Sequence, residues 1–128
     1  MKKILVVEDE KMLADMYRER FQQEGYEIHS AVDAESGLEM SEEVRPDLVV
    51  LDILLPKENG ISFLRSKKKM KEVASIPVIA FSNYDDTETK KEAKDLGAKE
   101  YLIKTNHTPR EILEKIKYYL ENEENTHK

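Results

Sequence analysis

Short apolar runs alternate along this chain with longer segments in which apolar residues recur at helical spacing. This alternation is typical of a parallel β-sheet that is covered by helices on both faces. The first and third runs are uninterrupted, as strands buried on both faces should be. The sequence therefore predicts five strands, at residues 4–7, 26–31, 48–51, 78–81 and 101–103.

Helices are predicted between these strands and after the last one, each with a recognisable boundary signal. The last has the clearest start, because Thr108 can cap it, Pro109 suits its first position and Glu111 completes a capping box. The first helix is predicted to end at Gly25, and the second to run from an N-cap at Asp33 to Arg45. The third should cover about residues 60–70, and the fourth should begin at a cap, Asp85 or Asp86, and end just before Gly97.

Five consecutive β-α units predict one α/β domain with a doubly wound, flavodoxin-like sheet of strand order 2-1-3-4-5. The length of 128 residues suits a single domain. We expect the domain to span residues 1–121 and residues 122–128 to form a polar C-terminal tail that frays.

Composition narrows the classes of partner. The chain has no cysteine, which removes disulfides and thiol chemistry, and no apolar stretch approaches the roughly 20 residues of a membrane span. Its net charge of -6 opposes binding to a phosphate backbone, and we interpret the basic run at residues 67–71 as the solvated end of a helix. We therefore expect a cytoplasmic protein that binds neither membranes nor nucleic acid directly.

Polar residues follow the predicted strands at their carboxyl ends, where ligands bind in an open parallel sheet. Each residue alone could be a helix cap, a turn former or a solubilising charge. Their coincidence at one edge favours a site instead. The set comprises Glu8 and Asp9 after strand 1, Asp52 after strand 3, Ser82 after strand 4 and Lys104 after strand 5.

Three carboxylates at one edge would repel one another unless a cation relieved them, so the cluster predicts a hard divalent ion, with Mg²⁺ the natural candidate. An oxygen of Asp52 could then attack phosphorus. Lys104 could pair with the phosphoryl oxygens while Ser82 donates a hydrogen bond to another of them.

Four segments, in order, resemble the receiver domain of two-component response regulators: ILVVEDE, DLVVLDILLPKENG, IPVIAFSNYDD and GAKEYLIKT. The resemblance covers roughly residues 2–121. It implies that Asp52 accepts the phosphoryl group and that Glu8, Asp9, Asp52 and the backbone carbonyl of Leu54 hold Mg²⁺.

The resemblance also implies the remaining roles. Ser82, the backbone of Asn83 and Lys104 would bind the phosphoryl group, Ser82 and Tyr101 would act as the switch, and Pro56 and Gly60 match the loop that shapes the acceptor turn.

The family's mechanism would then apply to this chain. A histidine kinase or a phosphotransfer protein would donate from phosphohistidine, Ser82 would move toward the phosphate, and Tyr101 would swing inward behind it. The face formed by the fourth helix, fifth strand and fifth helix would change and bind a downstream protein. No DNA-binding or catalytic domain follows residue 121, so we expect a single-domain regulator, with a receiver from a longer protein as the alternative.

The chain departs from the family's pattern in two respects, one after Lys104 and one around the acceptor. Thr105 follows Lys104 where the family usually has a proline in a cis bond, and we expect a trans bond because a cis bond before a non-proline residue costs about 3 to 4 kcal/mol. Leu54, Asn83 and Tyr84 are bulky or apolar at positions that flank the acceptor. They should hinder the hydrolysing water and lengthen the life of the phosphorylated form.

Three other functions compete with this interpretation. An aspartyl-phosphate phosphatase needs an acid two residues beyond its nucleophile, where this chain has Leu54, so we expect no turnover of a separate substrate. A flavin or nucleotide carrier needs a phosphate loop after strand 1, where Glu8 and Asp9 would repel phosphate. A receiver-like interaction module that works without phosphorylation stays open.

Overall fold

One five-stranded parallel sheet, with strand order β2-β1-β3-β4-β5, organises the molecule and confirms the predicted topology. The computed structural model describes residues 1–83 and 85–126, without the side chains of Thr105 and residues 122–126. In the described part, the strands are β1 (Lys3–Val7), β2 (Glu27–Ala31), β3 (Leu48–Asp52), β4 (Val78–Ser82) and β5 (Ala98–Ile103). The helices are α1 (Lys11–Gln23), α2 (Ala34–Val44), α3 (Gly60–Lys68), α4 (Thr87–Asp95) and α5 (Pro109–Thr126), with a 3₁₀ turn at Lys104–Asn106.

Alternating side chains of the central strands supply two hydrophobic cores, one on each face of the sheet. On one face, Leu5 and Val7 of β1 pack with Phe63 of α3. On the other, Ile4 and Val6 pack with residues of α1 and α5. Full burial of one such side chain stabilises the fold by roughly 1.5 to 3 kcal/mol, so these strands are the most strongly held part of the chain.

Local capping fixes where the helices begin. The Asp33 carboxylate accepts a 2.8 Å hydrogen bond from the Ser36 N–H at the start of α2. At α5 the capping box is complete, since the Glu111 N–H donates to Thr108 Oγ1 at 3.1 Å and the Thr108 N–H donates to Glu111 Oε1 at 2.8 Å. Of the two candidate caps for α4, Asp86 is the one that accepts, from the Glu88 N–H at 3.1 Å.

Two element boundaries differ from the predicted ones by three residues or more. β5 begins at Ala98, three residues before the predicted start, because Lys99 and Glu100 belong to an edge strand where polar side chains reach water. α5 continues to Thr126, into the segment assigned to a polar tail.

The prediction of a solvated basic run is wrong for one of its members. Lys67 is only 5% exposed and donates from Nζ to the Ala74 carbonyl at 3.0 Å. Burial lowers the pKa of Lys67 to about 8, and the nearby charge of Lys99 acts in the same direction. Lys67 lies three and four residues after Leu64 and Phe63, so helical spacing places it on the inner face of α3.

Candidate functional site

Three carboxylates gather at the carboxyl edge of the sheet, as predicted. One carboxylate oxygen from each of Glu8, Asp9 and Asp52 lies within 4.8 Å of the other two. The register explains the meeting, because Val7 pairs with Leu51 and the next residue of each strand therefore reaches the same level. Glu8 and Asp52 are buried, whereas Asp9 is exposed and leaves the cluster open to solvent.

Lys104 supplies the positive charge that the structure shows at this cluster. Its Nζ lies 3.3 Å from Glu8 Oε1 and 3.4 Å from Asp52 Oδ2, and its side chain is 15% exposed. Charge-assisted N–H···O bonds are usually about 2.7 to 2.9 Å long, so both contacts are stretched. One ammonium facing three carboxylates leaves the edge with net negative charge.

The proton affinity of Glu8 reflects that imbalance. Burial is the largest cause that raises the pKa of Glu8 to about 7, followed by the hydrogen bond and the charge of Asp52. Lys104 and the Glu10 N–H, which donates to Glu8 Oε2 at 3.2 Å, act in the opposite direction. A proton on Glu8 lowers the negative charge of the cluster, and a hard divalent cation bound by the carboxylate oxygens would do the same. The donor set therefore fits Mg²⁺.

Backbone contacts hold Asp52 in place. The Leu54 N–H donates to Asp52 Oδ1 at 3.0 Å, and the Gly60 N–H donates to the Ile53 carbonyl at 2.7 Å. A Cβ at Gly60 would lie 2.8 Å from both the Asp52 carbonyl and the Ile53 Cα, so only glycine permits this close approach. The proposed metal contact of the Leu54 carbonyl stays a prediction.

The two residues predicted to act as the switch lie on neighbouring strands, with Ser82 at the end of β4 and Tyr101 within β5. Ser82 and Tyr101 are both buried, so Tyr101 already occupies an inward position. Burial is the main cause that raises the pKa of Tyr101, with Asp86, Asp85 and Asp52 adding to it, while a hydrogen bond with the Ser82 side chain lowers it.

The structure describes only some of the other residues that were predicted to act at this edge. Asn83 is exposed, and its backbone contact with a phosphoryl group stays a prediction. Tyr84 lies outside the described residues. Among the described residues no cis peptide bond occurs, and the trans geometry predicted for Lys104–Thr105, which depends on the placement of Thr105, stays a prediction.

Sequence reasoning missed one residue of the site. Lys104 Nζ lies over the Phe81 ring, 5.0 Å from its centroid. A signal for it existed, because Phe81 immediately precedes Ser82 and pairs with Asp52 across the sheet.

Comparison with known proteins identifies the class that this fold and site define. Residues 4–117 match the family model described as the response regulator receiver domain. The chain belongs to the response regulator receiver family, which confirms the resemblance seen in its motifs.

Individual proteins of this family resemble the chain in sequence and in fold. The chain is 33% identical over 123 residues to the alkaline phosphatase synthesis transcriptional regulatory protein PhoP of Bacillus subtilis, covering 96% of this chain but only 50% of that protein. It therefore spans about half the length of that curated relative. A receiver domain protein from Methanospirillum hungatei has a TM-score of 0.89 and 31% identity, with 98% of each chain covered. The receiver domain of Francisella response regulator 1452 has a TM-score of 0.84 and 28% identity, covering 95% of this chain and 98% of that one.

None of the helices described here, through residue 126, is both long enough and apolar enough to cross a membrane.

Proposed function

We propose that this chain is a phosphoryl-accepting receiver of a two-component system, with Asp52 as the acceptor. The observation that carries the proposal is the convergence of Glu8, Asp9, Asp52 and Lys104 at one sheet edge, with carboxylate oxygens within 4.8 Å of one another and the ammonium 3.3 and 3.4 Å from two of them. The donor would be the phosphohistidine of a histidine kinase or of a phosphotransfer protein.

In the proposed reaction, a carboxylate oxygen of Asp52 forms a bond to phosphorus while the bond from phosphorus to the donor's imidazole nitrogen breaks. The electron pair of that bond returns to the imidazole. Glu8, Asp9, Asp52 and the Leu54 carbonyl would hold Mg²⁺, which neutralises charge on the transferring group when it is bound. The Leu54 N–H orients the Asp52 carboxylate throughout, through its 3.0 Å bond to Oδ1.

Three donors would bind the phosphoryl oxygens of the product. Lys104 would exchange its stretched contacts with Glu8 and Asp52 for phosphoryl oxygens. Ser82 and the Asn83 N–H would donate further hydrogen bonds. The new hydrogen bonds favour the phosphorylated-like state of this sheet edge over its resting state. The phosphoryl group can shift the equilibrium between these two states only by the difference in its affinity for them.

The proposed output is a change in the face formed by α4, β5 and α5. Its support is the contact between Ser82 at the end of β4 and Tyr101 within β5, which joins the acceptor edge to that face. We propose that a downstream protein binds there, in the cytoplasm, without direct contact to nucleic acid. We propose no turnover of a separate substrate.

The test is the intact mass of the protein after incubation with acetyl phosphate and Mg²⁺. We expect a gain of one phosphoryl group, and no gain for Asp52→Asn or after chelation of the metal. Asp95→Asn, on the exposed side of α4, is the matched control and should be phosphorylated as the parent is.

A folded parent whose mass does not change would contradict the proposal and favour an interaction module that works without phosphorylation. Steady release of phosphate from an added phosphomonoester would instead favour a phosphatase.

A further inference from the structure

We propose that Phe81 is a positioning residue for Lys104, and that its ring holds the ammonium beside Asp52 while phosphoryl transfer takes place. The proposal deepens the proposed function and rests on it. The direct observation is the 5.0 Å distance from Lys104 Nζ to the centroid of the Phe81 ring. An ammonium within about 6 Å of a ring face is attracted by the ring quadrupole, most strongly where water is excluded.

Water is largely excluded here. The Phe81 ring is fully buried and the Lys104 side chain is only 15% exposed. The ammonium therefore lies between two carboxylates on one side and an aromatic face on another, with little solvent to replace either.

The ring cannot easily turn away from the lysine. Phe81 lies in β4 between Asp52 of β3 and Leu102 of β5, which are its partners in the sheet register. The Tyr17 ring meets it edge to face, with centroids 5.8 Å apart and planes at 65°. Tyr17 is itself buried and stacks on Phe21 at 6.1 Å.

The ring matters because the other partners of Lys104 have competing tasks. The contacts to Glu8 and Asp52, at 3.3 and 3.4 Å, are stretched, and both carboxylates are proposed ligands of Mg²⁺. Asp52 also loses its free carboxylate once it carries a phosphoryl group. The ring is neither a metal ligand nor a reactant, so its attraction for the ammonium persists through each of these changes.

The simpler alternative is that Phe81 only fills the core. Two kinds of variant separate the possibilities. Phe81→Leu removes the ring, and replacement of Phe81 by a ring-fluorinated phenylalanine keeps its shape and apolar character while weakening the negative charge of its face. The same two changes at Phe21 are the matched controls, because Phe21 is equally buried, stacks on the same Tyr17 and has no ring contact with Lys104 among the described residues.

The first measurement needs neither metal nor phosphoryl donor. The ε-methylene protons of Lys104 should show an upfield ring-current shift in the NMR spectrum of the parent. We expect Phe81→Leu to abolish that shift and Phe21→Leu to retain it. A parent spectrum without the shift would overturn the proposal.

The second measurement is the rate of phosphorylation by acetyl phosphate at saturating Mg²⁺. We expect a decrease of about fivefold for Phe81→Leu and for the fluorinated Phe81 protein, against less than about twofold for the Phe21 controls. A fluorinated Phe81 protein that is phosphorylated as fast as the parent would overturn the positioning role alone. A parent that takes up no phosphoryl group would overturn the proposed function, and the role of Phe81 in it, while the NMR shift still reports whether the contact exists.

Discussion

Two regions of this molecule bury ionisable side chains, and they do so to different ends. At the carboxyl edge of the sheet, burial raises the pKa of Glu8 to about 7. Near the end of α3, burial lowers the pKa of Lys67 to about 8. In both places the removal of water is the largest cause, and in both the charged form of the side chain is disfavoured.

The difference lies in the partners. Within the part of the chain that the structure describes, Lys67 donates to one backbone carbonyl, that of Ala74, at 3.0 Å, and the like charge of Lys99 is a smaller cause of its lowered pKa than burial. Glu8 faces the like charge of Asp52, and exposed Asp9 opens the cluster to solvent. A buried charge therefore does not by itself indicate a functional site. Buried like charges that an incoming ion can relieve are the stronger indication.

The two groups should also respond to pH in opposite ways. Glu8 has a raised pKa, so its unfavourable contribution appears as the pH rises from its ordinary value of 4.5 through about 7. Lys67 has a lowered pKa, so its unfavourable contribution is present below about 8 and disappears as the pH rises toward 10.5.

The largest expected effect comes from removing the charge of Glu8. Without divalent cations at pH 8, Glu8→Gln should raise the free energy of unfolding by about 2 kcal/mol, because the parent must keep a buried carboxylate ionised beside Asp52. Urea denaturation across the pH range measures this difference, which should vanish near pH 4. Equal stabilities at pH 8 would show that the two regions do not differ as described.

The next effect is on metal affinity. A proton and Mg²⁺ should compete for Glu8, so the apparent dissociation constant for Mg²⁺ should rise about tenfold between pH 8 and pH 6, given a pKa of about 7. Isothermal titration calorimetry in buffers of different ionisation enthalpy would also detect the released proton. Glu8→Gln should bind Mg²⁺ more weakly and with little pH dependence over this range. A parent affinity that does not change with pH would contradict the assignment of Glu8 as a ligand.

The smallest expected effect is on stability and comes from Lys67, the buried charge of α3. Lys67→Met should raise the free energy of unfolding at pH 7 by about 1 kcal/mol, since an apolar side chain of similar length replaces a buried ammonium at the cost of one hydrogen bond. The advantage should shrink as the pH rises from about 8 toward 10.5, because Lys67 of the parent then loses its charge in the folded protein first. Lys69→Met, at an exposed neighbour, is the control and should change stability by less than about 0.5 kcal/mol. A destabilised Lys67→Met protein would show that the Ala74 contact outweighs the cost of burial.

Sequence patterns were sufficient where a property depends on local order along the chain. The apolar runs predicted the strands, and the rule that parallel strands end at one edge brought Glu8, Asp52 and Lys104 together. The pattern failed at the start of β5, where an edge strand carries Lys99 and Glu100.

Patterns also failed where a property depends on approach between distant elements. Lys67 is buried because the segment after α3 folds back over it and places the Ala74 carbonyl against Nζ, seven residues along the chain. Phe81 meets Lys104 because β5 pairs with β4 and ends beside it, which brings the residue after β5 next to the end of β4. Residue spacing indicates that Lys67 faces inward and that Phe81 lies at the acceptor edge, but it does not identify the group that either side chain contacts.

The contact between Lys104 and Glu8 joins residues 96 positions apart in the chain. During translation, Glu8 leaves the ribosome long before Lys104, which pairs with it. A nascent chain that has released β1 to β4 still lacks both the ammonium and the last strand of the sheet. The proposed competence to hold a phosphoryl group therefore arises only after β5 and Lys104 have been synthesised, and a chain truncated before Lys104 should lack it.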